Sequence, residues 1–204
     1  MLLFIYKAFN KLFSLSNSLY ASFFLNLYLK IYNIKTRGRI RTNGKPYINI
    51  SKDGHLEVGS NFVMNNGKYF NQIGRNDICH LIVGKDAKLI IGNDVGISST
   101  TIICEDQVVI GNRVKIGGNT VIYDTDFHSL DFLKRRIGTS DENSTNTSPV
   151  IIGDDVFIGA HSTILKGVNI GDRVIIGACS VITKSIPSDE IWAGNPAKFI
   201  RKIE

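Results

Sequence analysis

Isoleucine recurs at every sixth position in the C-terminal half of the chain. From Ile152 to Ile182 each sixth residue is isoleucine, and glycine follows four of these isoleucines. A period of six fits neither the 3.6-residue period of an α-helix nor the two-residue period of a strand. It fits a short strand followed by a corner, with Gly or Asn supplying backbone angles that β-branched residues avoid. The pattern predicts an all-β solenoid, a parallel β-helix of hexapeptide repeats.

The same period extends toward the N-terminus with interruptions. Two shorter in-phase runs of isoleucine, Ile91–Ile103 and Ile110–Ile122, precede the regular one. Stacked coils would bury the isoleucines in one continuous core, and the two ends of such a stack need covers. We therefore assign residues 41–190 to the β-helix, residues 1–40 to an N-terminal amphipathic helical segment, and residues 191–204 to a C-terminal tail.

The repeat stops between Asp124 and Pro149. Within this stretch, the run from Gly138 to Ser148 is polar and is typical of an exposed loop. A solenoid tolerates a long insertion only at its surface, and long surface loops often carry function. We expect residues 124–149 to form a functional loop.

The N-terminal segment is apolar but interrupted. Residues 1–34 are rich in Leu, Phe, Ile and Tyr and contain three lysines. The longest charge-free stretch, Leu12 to Leu29, just reaches membrane-spanning length but includes six Ser and Asn residues. We expect one or two amphipathic helices. Three arrangements stay open: a cover on the solenoid or on a neighbouring subunit, peripheral contact with a membrane, and a membrane span.

The charge balance favours an anionic partner. The chain has 24 Lys and Arg against 18 Asp and Glu, a net charge of +6, which suits a phosphate-rich cofactor or a membrane surface. The sequence lacks a dense basic run with interleaved aromatics, which argues against nucleic acid. Its three cysteines form no CxxC motif. This spacing argues against a zinc site or disulfide framework and suits a cytoplasmic protein, at the inner face of the membrane if residues 1–34 touch it.

Three motifs carry a resemblance to a known family. In the first, from Val121 to His128, a repeat coil runs into an acidic stretch that ends in histidine. The second is a pair of similar corners one coil apart, and the third is the close of the repeat with its tail: Ile158-Gly159-Ala160 and Ile176-Gly177-Ala178, then Val181–Pro187, Ala193–Lys198 and Arg201. These motifs resemble the hexapeptide-repeat acyltransferases, which fold as a left-handed parallel β-helix. The resemblance covers Val58 to Ile203 and is greatest for the branch that acetylates sugars, antibiotics and surface polysaccharides.

The resemblance implies that His128 is the general base. It would take the proton from an acceptor hydroxyl as the oxygen attacks the thioester of acetyl-CoA, and imidazole titrates close enough to neutral pH for that task. Asp124, Asp126 and Asp131 flank this histidine, and one of them would orient the imidazole or bind a sugar hydroxyl. Strand alternation would place Asp124, Asp126 and His128 on one face. The alternative for each aspartate is an ordinary solvated corner residue.

The acceptor site departs from the family pattern. In the sugar-acetylating relatives an asparagine and a carboxylate from the preceding coil contact the acceptor. The asparagine position is Ser99 in this chain, and Glu105 or Asp106 would supply the carboxylate. The departure at Ser99 leaves the acceptor open.

The resemblance also implies where acetyl-CoA binds. Ala160 and Ala178 would line the pantetheine arm in a groove between neighbouring subunits. Thr183 and Lys184 would lie toward the adenine and phosphate end, and Arg201 would contact the phosphates, for which Lys and Arg are suited by charge and geometry. We expect no metal ion.

These inferences predict an acetyl-CoA-dependent O-acetyltransferase that acts on a saccharide hydroxyl in surface polysaccharide biosynthesis. The family implies a homotrimer with sites at the subunit interfaces. One alternative is an enzyme for a small acceptor: a simple sugar, serine, an antibiotic or the nitrogen of an amino sugar. A second alternative is a non-enzymatic scaffold or a zinc-binding relative of the carbonic-anhydrase type. The zinc-binding form would need several histidines between subunits, and the chain has four in all.

Overall fold

Short strands form three sheets that the chain visits in turn. The computed structural model describes residues 1–38, 40–67, 69–71, 73 and 77–204. Its elements are, in chain order: α1 (Leu2–Ile31), β1 (Lys35–Thr36), β2 (Arg41–Asn43), β3 (Tyr47–Ile50), β4 (His55–Val58), β5 (Val63–Asn65), β6 (His80–Val83), β7 (Lys88–Ile91), β8 (Gly96–Ser98), β9 (Thr101–Cys104), β10 (Gln107–Ile110), β11 (Lys115–Ile116), β12 (Val121–Tyr123), α2 (Phe132–Arg135), α3 (Gly138–Glu142), β13 (Val150–Ile152), β14 (Phe157–Ile158), β15 (Thr163–Ile164), β16 (Asn169–Ile170), β17 (Ile175–Ile176), β18 (Val181–Ile182), β19 (Glu190–Gly194) and β20 (Ala197–Lys202).

Every third strand returns to the same sheet. The first sheet holds β1, β4, β7, β10, β13 and β16, and the third holds β3, β6, β9, β12, β15 and β18. The second holds β2, β5, β8, β11, β14 and β17, and β19 and β20 extend it. Among the strands that the structure describes, every pairing is parallel except that between β19 and β20. The predicted left-handed parallel β-helix is confirmed.

The core is a stack of the repeated isoleucines. In the first sheet Ile91, Ile110, Ile152 and Ile170 lie in register on successive strands, and each is at most 1% exposed. Because one residue of each side points inward at the same level, the repeat fills the interior with similar branched side chains.

The corner glycines have a different role from the one expected. A Cβ on Gly159 would lie 2.5 Å from the backbone nitrogen of Ala178 in the next coil, so glycine is needed for the close approach of stacked corners. The left-handed backbone angle falls two residues later, at His161 with φ 62° and at Cys179 with φ 59°. The expectation that these glycines supply the unusual angle is therefore wrong.

The helix α1 covers the first coil with its C-terminal half. Leu25 and Leu29 join the buried core beside Ile40. The helix is continuous because no Gly or Pro occurs before Gly38, and it ends near Asn33, which adopts φ 52°. Its large apolar side chains are not confined to the packed face, and most are exposed. Among the described residues, no helix combines the length and apolarity needed to cross a membrane.

The C-terminal tail continues the solenoid before turning back. Trp192 in β19 pairs with Ile176 of β17, and β20 then folds back antiparallel on β19. Trp192 and Ala197 pack against the core from this side, so the hairpin covers part of the last coil.

Residues 124–149 leave the solenoid between β12 and β13. Thr125 bridges Thr147 at the base of this excursion, and α2 and α3 lie within it. The side chain of Asp131 accepts a hydrogen bond from the Leu133 N–H and so caps α2. Residues 138–142, predicted as loop, form the short helix α3. This excursion emerges at the corner between the third and first sheets.

Candidate active site

His128 lies on the excursion and is open to solvent. Its side chain is 68% exposed, and its Nδ1 is 2.6 Å from Oδ2 of Asp141. The preceding Phe127 adopts φ 64°, a left-handed conformation that ends the regular alternation of the strand. The His128 side chain is therefore exposed outside the coil, and its Nδ1 is hydrogen-bonded to the carboxylate of Asp141.

Asp141 is fixed on both of its oxygens. Oδ2 faces His128, and Oδ1 accepts a hydrogen bond from the backbone N–H of Ser129 at 2.5 Å. The hydrogen bond with His128 and then that from Ser129 hold the pKa of Asp141 below its usual value. An ionised carboxylate only accepts hydrogen bonds, so Nδ1 of the neutral imidazole carries the proton. Nε2 then has the free lone pair that a general base needs.

The expectation that Asp124, Asp126 or Asp131 orients the imidazole is wrong. Asp124 is buried, and its two oxygens accept backbone N–H groups of Glu105 and Asp106, each at 2.8 Å. Burial, the largest influence, raises the pKa of Asp124. Asp131 caps α2. Asp126 pairs with a lysine of the next coil, with its Oδ2 3.4 Å from Nζ of Lys166.

The expectation of one shared face for Asp124, Asp126 and His128 also fails. Asp124 is fully buried and His128 is exposed, because the turn at Phe127 interrupts the two-residue alternation. Asp141 was missed because it lies 13 residues beyond His128 in a stretch without periodicity. The only signal for it was an acidic residue in a polar loop.

Ser99 and Glu105 lie at different corners. Ser99 is buried at the corner between the second and third sheets, where its Oγ donates to the Asp77 carbonyl and accepts from the Asn71 amide. Ser99 therefore ties Asn71 and Asp77 to this corner. Glu105 lies at the third-to-first corner, where partial burial and then the charge of Asp124 raise its pKa. The roles of Ser99, Glu105 and the three aspartates (Asp124, Asp126 and Asp131) toward an acceptor stay predictions.

The candidate donor residues fall into three groups. Ala160 and Ala178 stack at the second-to-third corner, where the Cys179 N–H donates to the Ala160 carbonyl at 2.9 Å. The other three are exposed: Thr183 and Lys184 follow β18 at the third-to-first corner, and Arg201 lies on β20.

One chain alone does not bring the candidate base and the candidate donor groove together. The strands of the third sheet separate them. Ala160 and Ala178 lie at the corner where these strands begin, and His128 follows the corner where they end. Thr183 and Lys184 lie at the same corner as His128, where the strands of the third sheet end, but two coils further along. Within the described residues, no three His, Cys, Asp or Glu side chains are grouped so that they could hold a metal ion.

Comparison with known proteins points to one family. Residues 149–184 match the family model described as the hexapeptide repeat of succinyl-transferase. A putative acetyltransferase of Saccharomyces cerevisiae is 39% identical over 97 residues, which cover 48% of this chain and 46% of the relative. A putative acetyltransferase of Dictyostelium discoideum is 34% identical over 159 residues, 78% of this chain and 64% of the relative. The chain thus spans less than two thirds of the length of either relative.

A solved structure extends the likeness to the whole fold. It is a variant of AntD, an N-acyltransferase from Bacillus cereus, in complex with dTDP and coenzyme A. The TM-score is 0.66 at 25% identity, with 87% of this chain and 89% of that chain covered. The repeat, the three-sided parallel coil and this likeness show that the chain is a left-handed parallel β-helix of hexapeptide repeats, similar in sequence and fold to proteins named as acetyl- or acyltransferases.

Proposed function

We propose that this protein is an acyltransferase that moves the acetyl group of acetyl-CoA to a saccharide, with His128 as the general base. The observation that carries the proposal is the His128–Asp141 pair, held 2.6 Å apart on the long insertion between β12 and β13. An exposed imidazole with an ionised carboxylate on Nδ1 is arranged to accept a proton on Nε2. The three relatives above are named acyl- or acetyltransferases, and AntD was solved with coenzyme A.

The proposed reaction is a direct transfer. Nε2 of His128 takes the proton from the acceptor as the acceptor oxygen attacks the thioester carbonyl carbon. The tetrahedral intermediate then collapses, the carbon–sulfur bond breaks, and the imidazolium returns its proton to the departing coenzyme A thiolate. Asp141 stabilises the imidazolium in between, since a carboxylate on Nδ1 favours the charged ring. No protein nucleophile is needed.

We further propose a homotrimer in which neighbouring chains complete each site. Within one chain, His128 and the stacked Ala160 and Ala178 lie at opposite ends of the strands of the third sheet. In a trimer the alanine corner of one chain can face the excursion of the next. The excursion also exposes large apolar side chains that a neighbouring chain would cover: Phe127, Leu130, Phe132, Leu133 and Ile137.

The acceptor we propose is a saccharide hydroxyl in surface polysaccharide synthesis. Transfer would take place in the cytoplasm, where acetyl-CoA is available and the chain's three cysteines, all free in the structure, would stay reduced. A second candidate is N-acetylation of an amino sugar. It is favoured by the likeness to AntD, which is an N-acyltransferase in complex with dTDP.

A paired acceptor screen tests the proposal and separates the two candidates. Acetyl-CoA is supplied with neutral sugars, polysaccharide fragments, lipid-linked glycans and nucleotide-linked amino sugars, and thiol release is followed. We expect turnover with hydroxyl acceptors, whereas turnover confined to the amino sugars would select N-acetylation. Absence of transfer to every acceptor, together with no rise in melting temperature on adding acetyl-CoA, would overturn the proposal. Arg201→Ala should weaken that rise, and Arg136→Ala, on the excursion, is the matched control.

A further inference from the structure

The helix α1 packs on the β-helix with its polar stripe. Ser18, Ser22 and Asn26 are spaced by four residues and so share one face of the helix. Each bonds to the first coil: Ser18 Oγ donates to Asn43 Oδ1 at 2.6 Å, Ser22 Oγ to the Thr42 carbonyl at 3.1 Å, and Asn26 Nδ2 to the Ile40 carbonyl at 3.2 Å. Beside this stripe, only Ala21, Leu25 and Leu29 of the helix are buried.

The opposite face of α1 is apolar and uncovered. Leu19 is 72% exposed and Phe23 is 65% exposed, one turn apart where this apolar surface meets the polar stripe. Other large apolar side chains continue the exposed surface to the start of the helix: Leu2, Leu3, Phe4, Ile5, Tyr6, Phe9, Leu12, Phe13, Leu15, Tyr20, Phe24, Leu27 and Ile31. A soluble protein rarely exposes so large a contiguous apolar surface unless it binds something.

The charges around this surface have one sign. Residues 1–52 contain nine Lys and Arg and no Asp or Glu, whereas the remaining residues contain 15 basic and 18 acidic side chains. Lys7, Lys11 and Lys30 lie on α1, and Arg37 and Arg41 are exposed at its base. The net positive charge of the chain is therefore concentrated at the end that carries the uncovered apolar face.

This charge distribution selects the partner. A second copy of α1 would bring like charges together with no carboxylate on either helix to pair with them. An anionic bilayer can bind both parts of this surface. Its phosphate layer would pair with the lysines, and its acyl layer would take up the Leu and Phe side chains. Tyr and Phe are also suited to the boundary between these layers.

We propose that α1 is a membrane-surface anchor that lies in the headgroup region of a bilayer rich in anionic phospholipid. Thirty helical residues extend about 45 Å, and the polar stripe of the C-terminal half fastens the helix to the first coil. The β-helix then stacks away from the membrane. This inference is independent of the acyl-transfer proposal, since it uses no residue of the excursion.

Vesicle flotation of the full chain tests this anchor. Vesicles of phosphatidylcholine alone are compared with vesicles that also contain phosphatidylglycerol, at low and at high salt. We expect binding to the anionic vesicles that weakens as salt rises. The variant Lys7→Glu/Lys11→Glu should lower the partition coefficient about 25-fold or more, because each basic residue contributes roughly fivefold. The control Lys85→Glu/Lys88→Glu changes the net charge equally and should bind like the wild type.

A second pair of variants tests the apolar face. Leu19→Ser/Phe23→Ser should lower binding on the order of tenfold or more, since each removes a large side chain from the acyl layer. The control Ile137→Ser/Ile200→Ser, at exposed positions outside α1, should have little effect. Circular dichroism checks that each variant folds.

Two outcomes would overturn the anchor. One is absence of binding to the anionic vesicles, or equal binding to both vesicle types at all salt concentrations. The other is a molar mass by light scattering that falls in Leu19→Ser/Phe23→Ser without any vesicle binding by the wild type. That result would assign the apolar face to a second copy of the chain.

Discussion

The regular coils and the excursion differ in sequence pattern and in proposed role. From β13 to β18 each side repeats the same buried isoleucine, so the interior of one coil resembles that of the next. The excursion of residues 124–149 has no repeat, buries few side chains, and brings His128 against Asp141 from 13 residues away. The repeat therefore provides a regular scaffold, and the proposed chemistry depends on the place where the repeat is interrupted.

The largest effect should come from the exposed histidine. His128→Ala should lower kcat/KM for acetyl transfer by about 10²- to 10⁴-fold, the usual range for loss of a general base. The melting temperature should hardly change, since the side chain is 68% exposed. Steady-state kinetics with the acceptor found in the screen measures this. Near-normal turnover in a folded variant would remove His128 from the mechanism.

The next largest effect should be on stability and should come from the coils. Ile164 is completely buried in the third sheet, so Ile164→Ala should lower the free energy of unfolding by about 2–5 kcal/mol through a cavity in the core. Lys134→Ala on the excursion, at an exposed side chain, should change it by less than about 0.5 kcal/mol. Urea unfolding compares the two. Equal losses would contradict the division of roles.

A smaller effect on activity should follow from the carboxylate. Asp141→Asn should lower kcat/KM on the order of 10- to 100-fold, because the amide neither stabilises the imidazolium nor enforces the Nδ1–H tautomer. The matched control is Asp131→Asn, which keeps a good cap for α2 and should be close to wild type. If Asp131→Asn is as damaged as Asp141→Asn, the effect comes from the fold of the excursion and not from the imidazole.

The smallest effect should be the pH dependence of stability due to Asp141. Its pKa is lowered in the folded chain, chiefly by the hydrogen bond with His128, so ionisation of Asp141 contributes stability above its unfolded pKa of about 4. That contribution is lost as pH falls through the folded pKa. The stability difference between the wild type and Asp141→Asn should therefore shrink as the pH falls below about 4. Denaturant titrations across this range measure it.

The fold was predictable because the repeat encodes it residue by residue. Six isoleucines in phase, from Ile152 to Ile182, mark the six sides of two coils, and each is the last residue of its strand. What could not be predicted is how a segment without a period folds back on itself. The choice of Asp141 over Asp124 depends on a left-handed turn at Phe127 and on a short helix of polar residues, neither of which leaves a pattern in the sequence.

The N-terminal helix shows a second limit. Its composition predicts a helix with apolar residues, and the structure has one. On the packed side, Leu25 and Leu29 join the core, and Ser18, Ser22 and Asn26 form hydrogen bonds to the first coil. Hydrophobicity alone would have turned more of the leucines and phenylalanines inward. Which face of a surface helix packs thus depends on the surface that it packs against as much as on its own hydrophobic pattern.

Subunit complementation tests the central claim, that the excursion supplies the base and the regular coils of a neighbouring chain supply the donor groove. His128→Ala lacks the base, and Ala178→Trp should block the groove at the second-to-third corner. Each alone should be inactive. When the two are coexpressed in equal amounts, random mixing leaves about a quarter of the interfaces with both parts intact. We predict recovery of about a quarter of wild-type activity, whereas mixed trimers as inactive as either variant would contradict the account.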